Sequence, residues 1–458
     1  MSSRFADEVR STLVLALPVV ITQISGVANG FVDTLMVGRL GPDELAGVAL
    51  GNTLFFGHMI LGMGIVTSVS PMVSQAFGRG DEEEIGRSVR QGLWLAFGLS
   101  IAMMVSVRNI WPLMIWMGQD PETVALSEAY VDAISWGMPG FLSFIALRGF
   151  VEALSKPLLA TIIAIVGVGL NVAANYVLMY GHFGFPALGL VGTGWASTLV
   201  FWFNFLCLLI VTLLMKELAR YAGFKNFHRP DLAFLRKLVK LGLPIGISQG
   251  VEVALFMGTA LMMGLIGKTA LAAHQIAVQC AALTFMVPLG IGIATSVRVG
   301  VASGMGDPKG VRVAGWIGVG LSCLVMLFTA TFFWLFPTKI VSLFVDMESL
   351  ANAPVIEIAT VLMGFAAVFQ LFDGIQVSAI GALRGLKDTL VPMIIAIVSY
   401  LIIGLTAGYI LGIRAGYGPE GLWTGLVVGL IVASVLLIWR FEWITRAAAA
   451  EPSSSANG

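Results

Sequence analysis

Three acidic residues, Asp33, Glu252 and Asp373, lie inside long apolar stretches of the chain. A charge in the hydrocarbon core of a membrane is costly, so an acid in a membrane segment indicates a functional site. We therefore expect these carboxylates to have functional roles. For Asp33 the alternative is a purely structural role. It lies only five residues before Gly38, near the end of its apolar stretch, where it can form a hydrogen bond with a neighbouring amide.

Glu252 and Asp373 are predicted to lie at similar depth in the membrane. Glu252 precedes Gly264 by about 18 Å of helix, and Asp373 lies about 15 Å from the inner end of its segment. Both positions fall near the middle of a hydrocarbon core about 30 Å thick. If the two carboxylates face each other, they need a cation between them or a proton on one of them. Sodium and protons both meet this requirement.

Three amide side chains are also placed inside apolar stretches. Asn171 and Asn175 are one helical turn apart on the same helix face, and Gln279 lies in a separate segment. Hydrogen bonding between membrane helices explains such amides as well as a binding site does. Both interpretations stay open.

The composition requires that membrane helices carry these polar residues. Of the 458 residues, 58% are hydrophobic and 11% are charged, against about 25% charged in a typical soluble domain. A transmembrane helix takes about 20 apolar residues, so the supply covers about a dozen. A soluble enzyme and a disordered chain are excluded, and a net charge of zero gives no field that attracts nucleic acid. The apolar runs are continuous, whereas the strands of a membrane barrel alternate.

Twelve apolar segments predict an all-α integral membrane protein with twelve transmembrane helices. The segments are 12–38, 44–76, 92–116, 122–153, 157–180, 188–215, 240–266, 270–302, 311–336, 350–383, 388–413 and 419–444. The domains that follow are an N-lobe, a cytoplasmic linker, a C-lobe and a disordered cytoplasmic tail, at 1–215, 216–239, 240–446 and 447–458.

The basic residues predict the orientation of the chain. With a cytoplasmic N-terminus, only five of the 26 Lys and Arg residues fall outside and 21 fall inside; the five are Arg39, Arg108, Lys268, Lys339 and Arg414. This bias follows the positive-inside rule and places both termini in the cytoplasm.

The two halves of the chain repeat each other at a nearly fixed spacing. Several motifs recur 226 positions later, among them Leu17-Pro18 as Leu243-Pro244 and Gly80-Asp81 as Gly306-Asp307. Six helices per half is an even number, so both halves share one orientation, as in transporters that rock two bundles around a central cleft. The acids do not recur, so we expect the two lobes to differ in chemistry.

Glycines spaced by four residues occur in the last two segments. They are Gly404, Gly408 and Gly412 in one, and Gly421, Gly425 and Gly429 in the next. Small residues at this spacing are typical of closely packed membrane helices. We predict that these runs are packing seams.

In its motifs the sequence resembles the multidrug and toxic compound extrusion (MATE) family, in its NorM-like bacterial branch. The resemblance covers nearly the whole chain. It rests on short motifs in both halves, namely Leu17-Pro18, Asp33-Thr34-Leu35-Met36-Val37-Gly38, Glu44-Leu45-Ala46-Gly47, Pro244, Glu252, Ala273-His274-Gln275-Ile276, Asp373-Gly374-Ile375-Gln376 and Leu383-Arg384-Gly385-Leu386-Lys387-Asp388-Thr389. Together these motifs are specific, although none is so alone.

The resemblance implies an antiporter of the cell inner membrane with two six-helix lobes in a V. Such a protein exports cationic, often aromatic drugs in exchange for Na+ or H+. By position, Glu252 and Asp373 match the family's C-lobe cation site and would hold Na+, with Gln279 where an asparagine ligand is expected. Phe369 stands where a tyrosine is common, and the missing hydroxyl weakens the case for sodium and leaves protons open.

The resemblance also implies a polar cluster in the N-lobe that couples transport to the ion or receives the substrate. The residues that match it by position are Asp33, Asn171, Asn175 and Thr198.

We therefore expect a secondary antiporter for multidrug efflux that works by rocker-type alternating access. Its partners would be small cationic drugs and the lipid bilayer, without nucleic acid, and it would act as a monomer with no cofactor besides the coupling ion. A flippase for lipid-linked oligosaccharides of the same superfamily is the alternative, but acidic central residues favour cationic cargo. An enzyme would need a nucleophile–base pair or a metal cluster at one depth, and neither is found. A channel would need a continuous polar lining, for which the acids are too few.

Overall fold

The computed structural model describes residues 2–221 and 227–450, and within these ranges the chain is helical throughout its apolar segments. Eleven helices are long and apolar enough to cross a membrane, and a pair of shorter helices bent by 48° completes a twelfth span. The spans are α1 Ser2–Val37, α2 Pro42–Arg79, α3 Glu82–Trp116, α4 Pro121–Ser135 with Met138–Ala153, α5 Leu158–Leu178, α6 Leu190–Leu214, α7 Leu232–Ile266, α8 Lys268–Gly304, α9 Pro308–Leu335, α10 Ala353–Gly385, α11 Leu390–Arg414 and α12 Gly418–Ala450.

The predicted fold class, an all-α membrane protein with twelve spans, is confirmed, and each predicted segment coincides with one span, the fourth of which is the bent pair of helices. The largest differences are at the starts of α1, α3 and α7, which begin about ten residues earlier than the apolar pattern indicates. Hydropathy detects only the part of a helix that lies in hydrocarbon, whereas a capped helix continues through polar residues.

The predicted linker and tail are partly helical in the structure. Residues 232–239, which the apolar pattern assigns to the linker, are the first two turns of α7. Residues 447–450, assigned to the tail, continue α12. The rest of the predicted tail and the linker residues 222–226 lie outside the described residues.

The repeated Gly-Asp motif forms the same turn in both halves. Gly80 and Gly306 have φ angles of 72° and 67°, in the left-handed region that favours glycine. The next residue caps the following helix: Asp81 accepts from the Glu84 amide and Asp307 from the Gly310 amide, each at 2.9 Å. The sequence repeat is therefore also a structural repeat.

The helices pack into two compact units whose boundaries lie inside α1 and α7. One unit contains Ile21–Gly246, and the other contains the chain up to Val20 and from Ile247 onward. Val20 and Gly246 are 226 positions apart, the spacing of the repeat, and each lies two residues after a proline, Pro18 or Pro244. The first turns of each half thus belong to the unit built mainly from the other half.

Ion pairs join the first turns of α1 and of α7 to the units that contain them. In one unit Glu8 of α1 accepts two hydrogen bonds from Arg298 of α8, with Oε1–Nε and Oε2–Nη2 distances of 2.7 and 2.5 Å. In the other unit Arg87 of α3 pairs with Asp231, which also caps α7 by accepting from the Phe234 amide at 3.0 Å. These hydrogen bonds lower the pKa of the Asp231 carboxyl below its usual value, and the bond from Arg87 has the largest effect.

The predicted glycine seam joins α11 and α12. A Cβ atom added to Gly421 would lie 2.6 Å from the backbone nitrogen of Gly412, and one added to Gly404 would lie 3.3 Å from the carbonyl oxygen of Gly425. The seam is therefore confirmed as a place where only glycine allows the two backbones to approach so closely.

We expect Gly421→Val to lower the free energy of unfolding by about 2 kcal/mol, because the added methyl groups meet rigid backbone. Gly320→Val in α9 is the matched control, since a Cβ atom there meets nothing within 4 Å. Thermal unfolding of the purified proteins in detergent measures the difference. Equal melting temperatures for the two variants would contradict the seam.

Candidate functional site

A buried carboxylate with three hydrogen-bond donors forms the centre of the first polar cluster. Asp33, on the second half of α1, is only 6% exposed. Its Oδ1 accepts from Asn171 Nδ2 at 3.1 Å and from Asn175 Nδ2 at 2.7 Å, both on α5, and its Oδ2 accepts from Ser197 Oγ of α6 at 2.9 Å. These bonds offset part of the free energy needed to bury the charge.

The cluster contains Ser197 in place of the predicted Thr198. The Thr198 hydroxyl donates to the carbonyl oxygens of Ala133 and Ile134 on α4, at 2.8 and 3.3 Å, and so binds backbone. Adjacent residues on a helix point in directions about 100° apart, so only one of the two hydroxyls can face Asp33. The sequence contains no signal that selects Ser197 from this pair.

A tyrosine that the sequence did not single out stands close to Asp33. Tyr130 of α4 is fully buried, interacts electrostatically with Asp33, and donates its hydroxyl to Asn52 Oδ1 at 2.8 Å. Among the described residues, the Oδ1 atom of Asn175 is buried without a hydrogen-bond donor. The cluster therefore keeps one free acceptor beside a carboxylate whose two oxygens are already bonded.

The second cluster contains the two acids of the C-terminal half. Glu252 on α7 is half-buried and Asp373 on α10 is 6% exposed, and the two carboxylates lie close enough to interact electrostatically. Within the described ranges neither carboxylate forms a hydrogen bond or an ion pair. This arrangement differs from that of Asp33, whose charge is matched by donors.

Around this acid pair lie buried polar atoms that have no hydrogen-bond partner among the described residues. Tyr400 interacts electrostatically with both carboxylates, and its buried hydroxyl lies beside Gln376 without a hydrogen bond of normal geometry. The Oε1 atom of Gln376 is likewise buried and unpaired within the described part of the chain. Tyr400 lies in a π-helical stretch of α11, Ile397–Leu405, and such stretches occur frequently at functional sites.

Phe369 and Gln279 do not contribute to the acid pair. The Phe369 ring is buried and packs against Phe256 and Trp423, with ring centroids 5.8 and 5.9 Å apart. Gln279 is exposed and, among the described residues, forms no hydrogen bond with Glu252 or Asp373. The polar groups beside the acids come instead from Gln376 and Tyr400, which neither hydropathy nor the repeat singled out.

A basic residue completes the second cluster. Arg384, in the last turn of α10, is half-buried and interacts electrostatically with Glu252. The motif that contains Arg384 is visible in the sequence, but its proximity to Glu252 depends on how α7 and α10 pack.

The fold and the two buried acidic clusters define a helical membrane protein of the transporter class. The chain belongs to the MatE family, whose model matches residues 18–177 and 244–410, once in each half. The family predicted from the sequence motifs is confirmed, and with it the expectation of a transporter rather than an enzyme.

Two curated relatives are similar over nearly the whole chain. A probable multidrug resistance protein NorM from Mesorhizobium japonicum is 41% identical over 450 residues, which cover 97% of this chain and 96% of the relative. A protein of the same name from Pseudomonas aeruginosa is 37% identical and covers 97% of this chain and 91% of the relative.

Two solved structures have a similar fold. The eukaryotic MATE transporter AtDTX14 superposes with a TM-score of 0.86 at 18% identity, over 97% of this chain and 98% of that chain. A multidrug resistance MATE family transporter of the MOP superfamily, in an outward-facing conformation, gives 0.87 at 21% identity, over 97% of each chain. At these identities the likeness shows the fold alone.

We expect Ser197→Ala to weaken binding of a cationic drug about threefold, because it removes one of three donors that hold Asp33 in position while the charge of Asp33 stays. A hydrogen bond to a charged group contributes about 2 kcal/mol, and about a third of it would be expressed in binding. Thr198→Val is the neighbouring control, since its hydroxyl binds backbone. Drug affinity is measured by fluorescence polarisation on purified protein. An equal loss in both variants would remove Ser197 from the site.

Proposed function

We propose that this protein is a secondary antiporter of the bacterial inner membrane that exports cationic, amphipathic drugs in exchange for Na+ or H+. The observation that carries the proposal is the pair Glu252 and Asp373, two interacting acids with no hydrogen-bonded or ion-paired partner among the described residues. Two such carboxylates are most stable when a cation or a proton neutralises part of their charge. The names of the NorM relatives support multidrug export.

The Asp33 cluster is proposed to receive the drug or to couple to the ion from the N-lobe. The Asp33 carboxylate already accepts from three donors, so binding the coupling ion there would be less favourable than at the Glu252–Asp373 pair. A drug cation can still interact with the carboxylate, while the unpaired oxygen of Asn175 offers an acceptor beside it. We therefore assign ion coupling to the C-lobe pair and drug recognition to the Asp33 cluster.

Exchange between ion and drug is proposed to proceed by rocker-type alternating access of a monomer. We propose that its two lobes are the predicted 1–215 and 240–446, joined by the predicted cytoplasmic linker 216–239, of which residues 232–239 are helical. If binding of the ion lowers the affinity for the drug, thermodynamic linkage requires that the drug lowers the affinity for the ion by the same factor. The alternative, a flippase for lipid-linked oligosaccharides, is disfavoured because an acidic site repels an anionic diphosphate.

We predict that Glu252→Gln and Asp373→Asn each abolish efflux driven by an ion gradient, because each removes a charge that the coupling ion neutralises. Glu357→Gln is the matched control, since Glu357 is an exposed acid on the same helix as Asp373. Drug efflux is measured in proteoliposomes under separately imposed sodium and proton gradients, which also identifies the coupling ion. Wild-type efflux in Glu252→Gln would leave that residue with a structural role only.

Asp33→Asn separates the two clusters in the same assay. It should weaken the affinity for cationic drugs about tenfold, as expected for the loss of about 1.4 kcal/mol, and leave neutral drugs almost unchanged. If Asp373→Asn keeps full ion-linked drug release while Asp33→Asn shows none, the coupling site lies in the N-lobe and the assignment is reversed.

The sidedness of the chain gives a further test of the proposed location. The excess of basic residues on one side predicts that a reporter fused at Lys225 is cytoplasmic and one fused at Lys268 is periplasmic. Alkaline phosphatase and green fluorescent protein fusions at these positions should therefore give opposite signals. The same signal at both positions would contradict the proposed topology and span count.

A further inference from the structure

A cluster of two arginines around one carboxylate lies where α9 begins and α12 ends. Glu442 of α12 accepts two hydrogen bonds from Arg312 Nη2 of α9, at 2.9 and 3.1 Å, and one from Arg446 Nε at 2.8 Å. The indole Nε1 of Trp316 on α9 also donates to Glu442, at 2.6 Å. We call these four residues the basic corner, since its two guanidinium groups outnumber its single carboxylate.

The positive groups of the basic corner face outward. The side chains of Arg446 and Arg312 are 72% and 44% exposed, whereas that of Glu442 is only 16% exposed. Among the described residues Arg446 binds Glu442 through Nε alone, which leaves both of its terminal amino groups for another acceptor. The excess positive charge is therefore available to an anion from outside the protein.

Tryptophans border the arginines on the surface. Trp439 and Trp443 of α12 are 61% and 55% exposed, and they share one helix face with Arg446. Trp316 of α9 is 39% exposed. The predicted apolar segments begin at residue 311 and end at residue 444, so these indoles lie at the boundary between hydrocarbon and water, where tryptophan is enriched.

The other half of the chain covers the corresponding position with its own backbone. At the repeat spacing of 226 positions, Arg312 corresponds to Gly86 of α3. A Cβ atom added to Gly86 would lie 2.5 Å from the carbonyl oxygen of Tyr221, in the segment that follows α6. In the C-terminal half α12 continues as a helix to Ala450, and the Arg312 side chain stays accessible. The basic corner is thus open where its counterpart is occupied by chain.

We propose that the basic corner binds the headgroup of an anionic phospholipid, with the phosphate against Arg446 and Arg312 and the acyl chains along Trp439 and Trp443. A phosphodiester carries a single negative charge, which matches the one guanidinium in excess, and its oxygens suit guanidinium donors. A soluble anion would use the arginines but gain nothing from the tryptophans. A zwitterionic lipid has no net charge to match the excess.

The test measures lipid binding to the purified, delipidated full-length protein by native mass spectrometry. The first bound phosphatidylglycerol should dissociate about fivefold less readily than the first bound phosphatidylcholine. Arg446→Gln should weaken phosphatidylglycerol binding about fivefold, as expected for one basic residue beside an anionic lipid, and Arg446→Lys should retain most of it. Arg79→Gln is the matched control with wild-type binding, since Arg79 pairs one to one with Glu84 in the other half, at 2.6 Å.

A second measurement locates the acyl chains. Brominated phosphatidylglycerol should quench the tryptophan fluorescence of the protein more than brominated phosphatidylcholine does at the same mole fraction. Replacing both Trp439 and Trp443 with Phe should remove most of this difference, and so should Arg446→Gln. An undiminished difference in these variants would overturn the proposal.

Three further outcomes would also contradict a lipid site at the basic corner. These are equal affinity for the two lipids, wild-type binding in Arg446→Gln, and displacement of phosphatidylglycerol by inorganic phosphate at equal concentration, which would show a simple anion site. A chain that ends at Ala450 tests the remaining occupant, because lipid binding that appears only in this shortened chain would assign the corner to residues 451–458. None of these measurements involves a drug or a coupling ion, so their outcome is independent of the proposed transport function.

Discussion

The burial of carboxylates in a protein surrounded by hydrocarbon is the constraint on which the rest of this structure depends. An ionised acid removed from water must be matched by donors, by an opposite charge or by a bound cation. The unit that contains Asp33 uses donors, and places amides on α5 and a hydroxyl on α6 around one oxygen pair. The other unit contains two acids, an arginine and a tyrosine hydroxyl that form no such bonds within the part of the chain that the structure describes.

This contrast gives the duplicated fold two different chemistries. The repeat preserves the turns, the capping aspartates and the points where α1 and α7 pass from one unit to the other. It does not preserve the buried charges, because a single substitution adds or removes an acid without changing the backbone. Similar scaffolds can therefore hold a carboxylate with three hydrogen-bond donors in one unit and an acid pair without them in the other, an asymmetry that the proposed exchange of an ion for a drug would use.

The sequence predicted most of the fold and only part of the two clusters. Long apolar runs have a single solution in a membrane, so the spans, the glycine seam and the repeat followed from pattern alone. The acids were recognised because charge is rare in such runs. Ser197, Tyr130 and Tyr400 were missed because serine and tyrosine are ordinary in membrane helices, and Gln376 was noted only as part of the motif that begins at Asp373. Their selection depends on the rotation of each helix, as the inclusion of Ser197 rather than Thr198 shows, and that rotation is set by packing between helices distant in sequence.

The first turns of α1 and α7 each belong to the unit built mainly from the other half of the chain, and this has a consequence for biosynthesis. Glu8 leaves the ribosome early, but its partner Arg298 is made only after about three hundred residues, and Asp231 follows Arg87 by more than a hundred. Neither unit holds its complete set of packing partners when the first six spans have been inserted. The first six spans therefore lack both of these ion pairs until the later segments have been made. A chain cut at the central linker would yield two fragments that each lack the opening turns of one helix and recover them only by meeting again in the membrane.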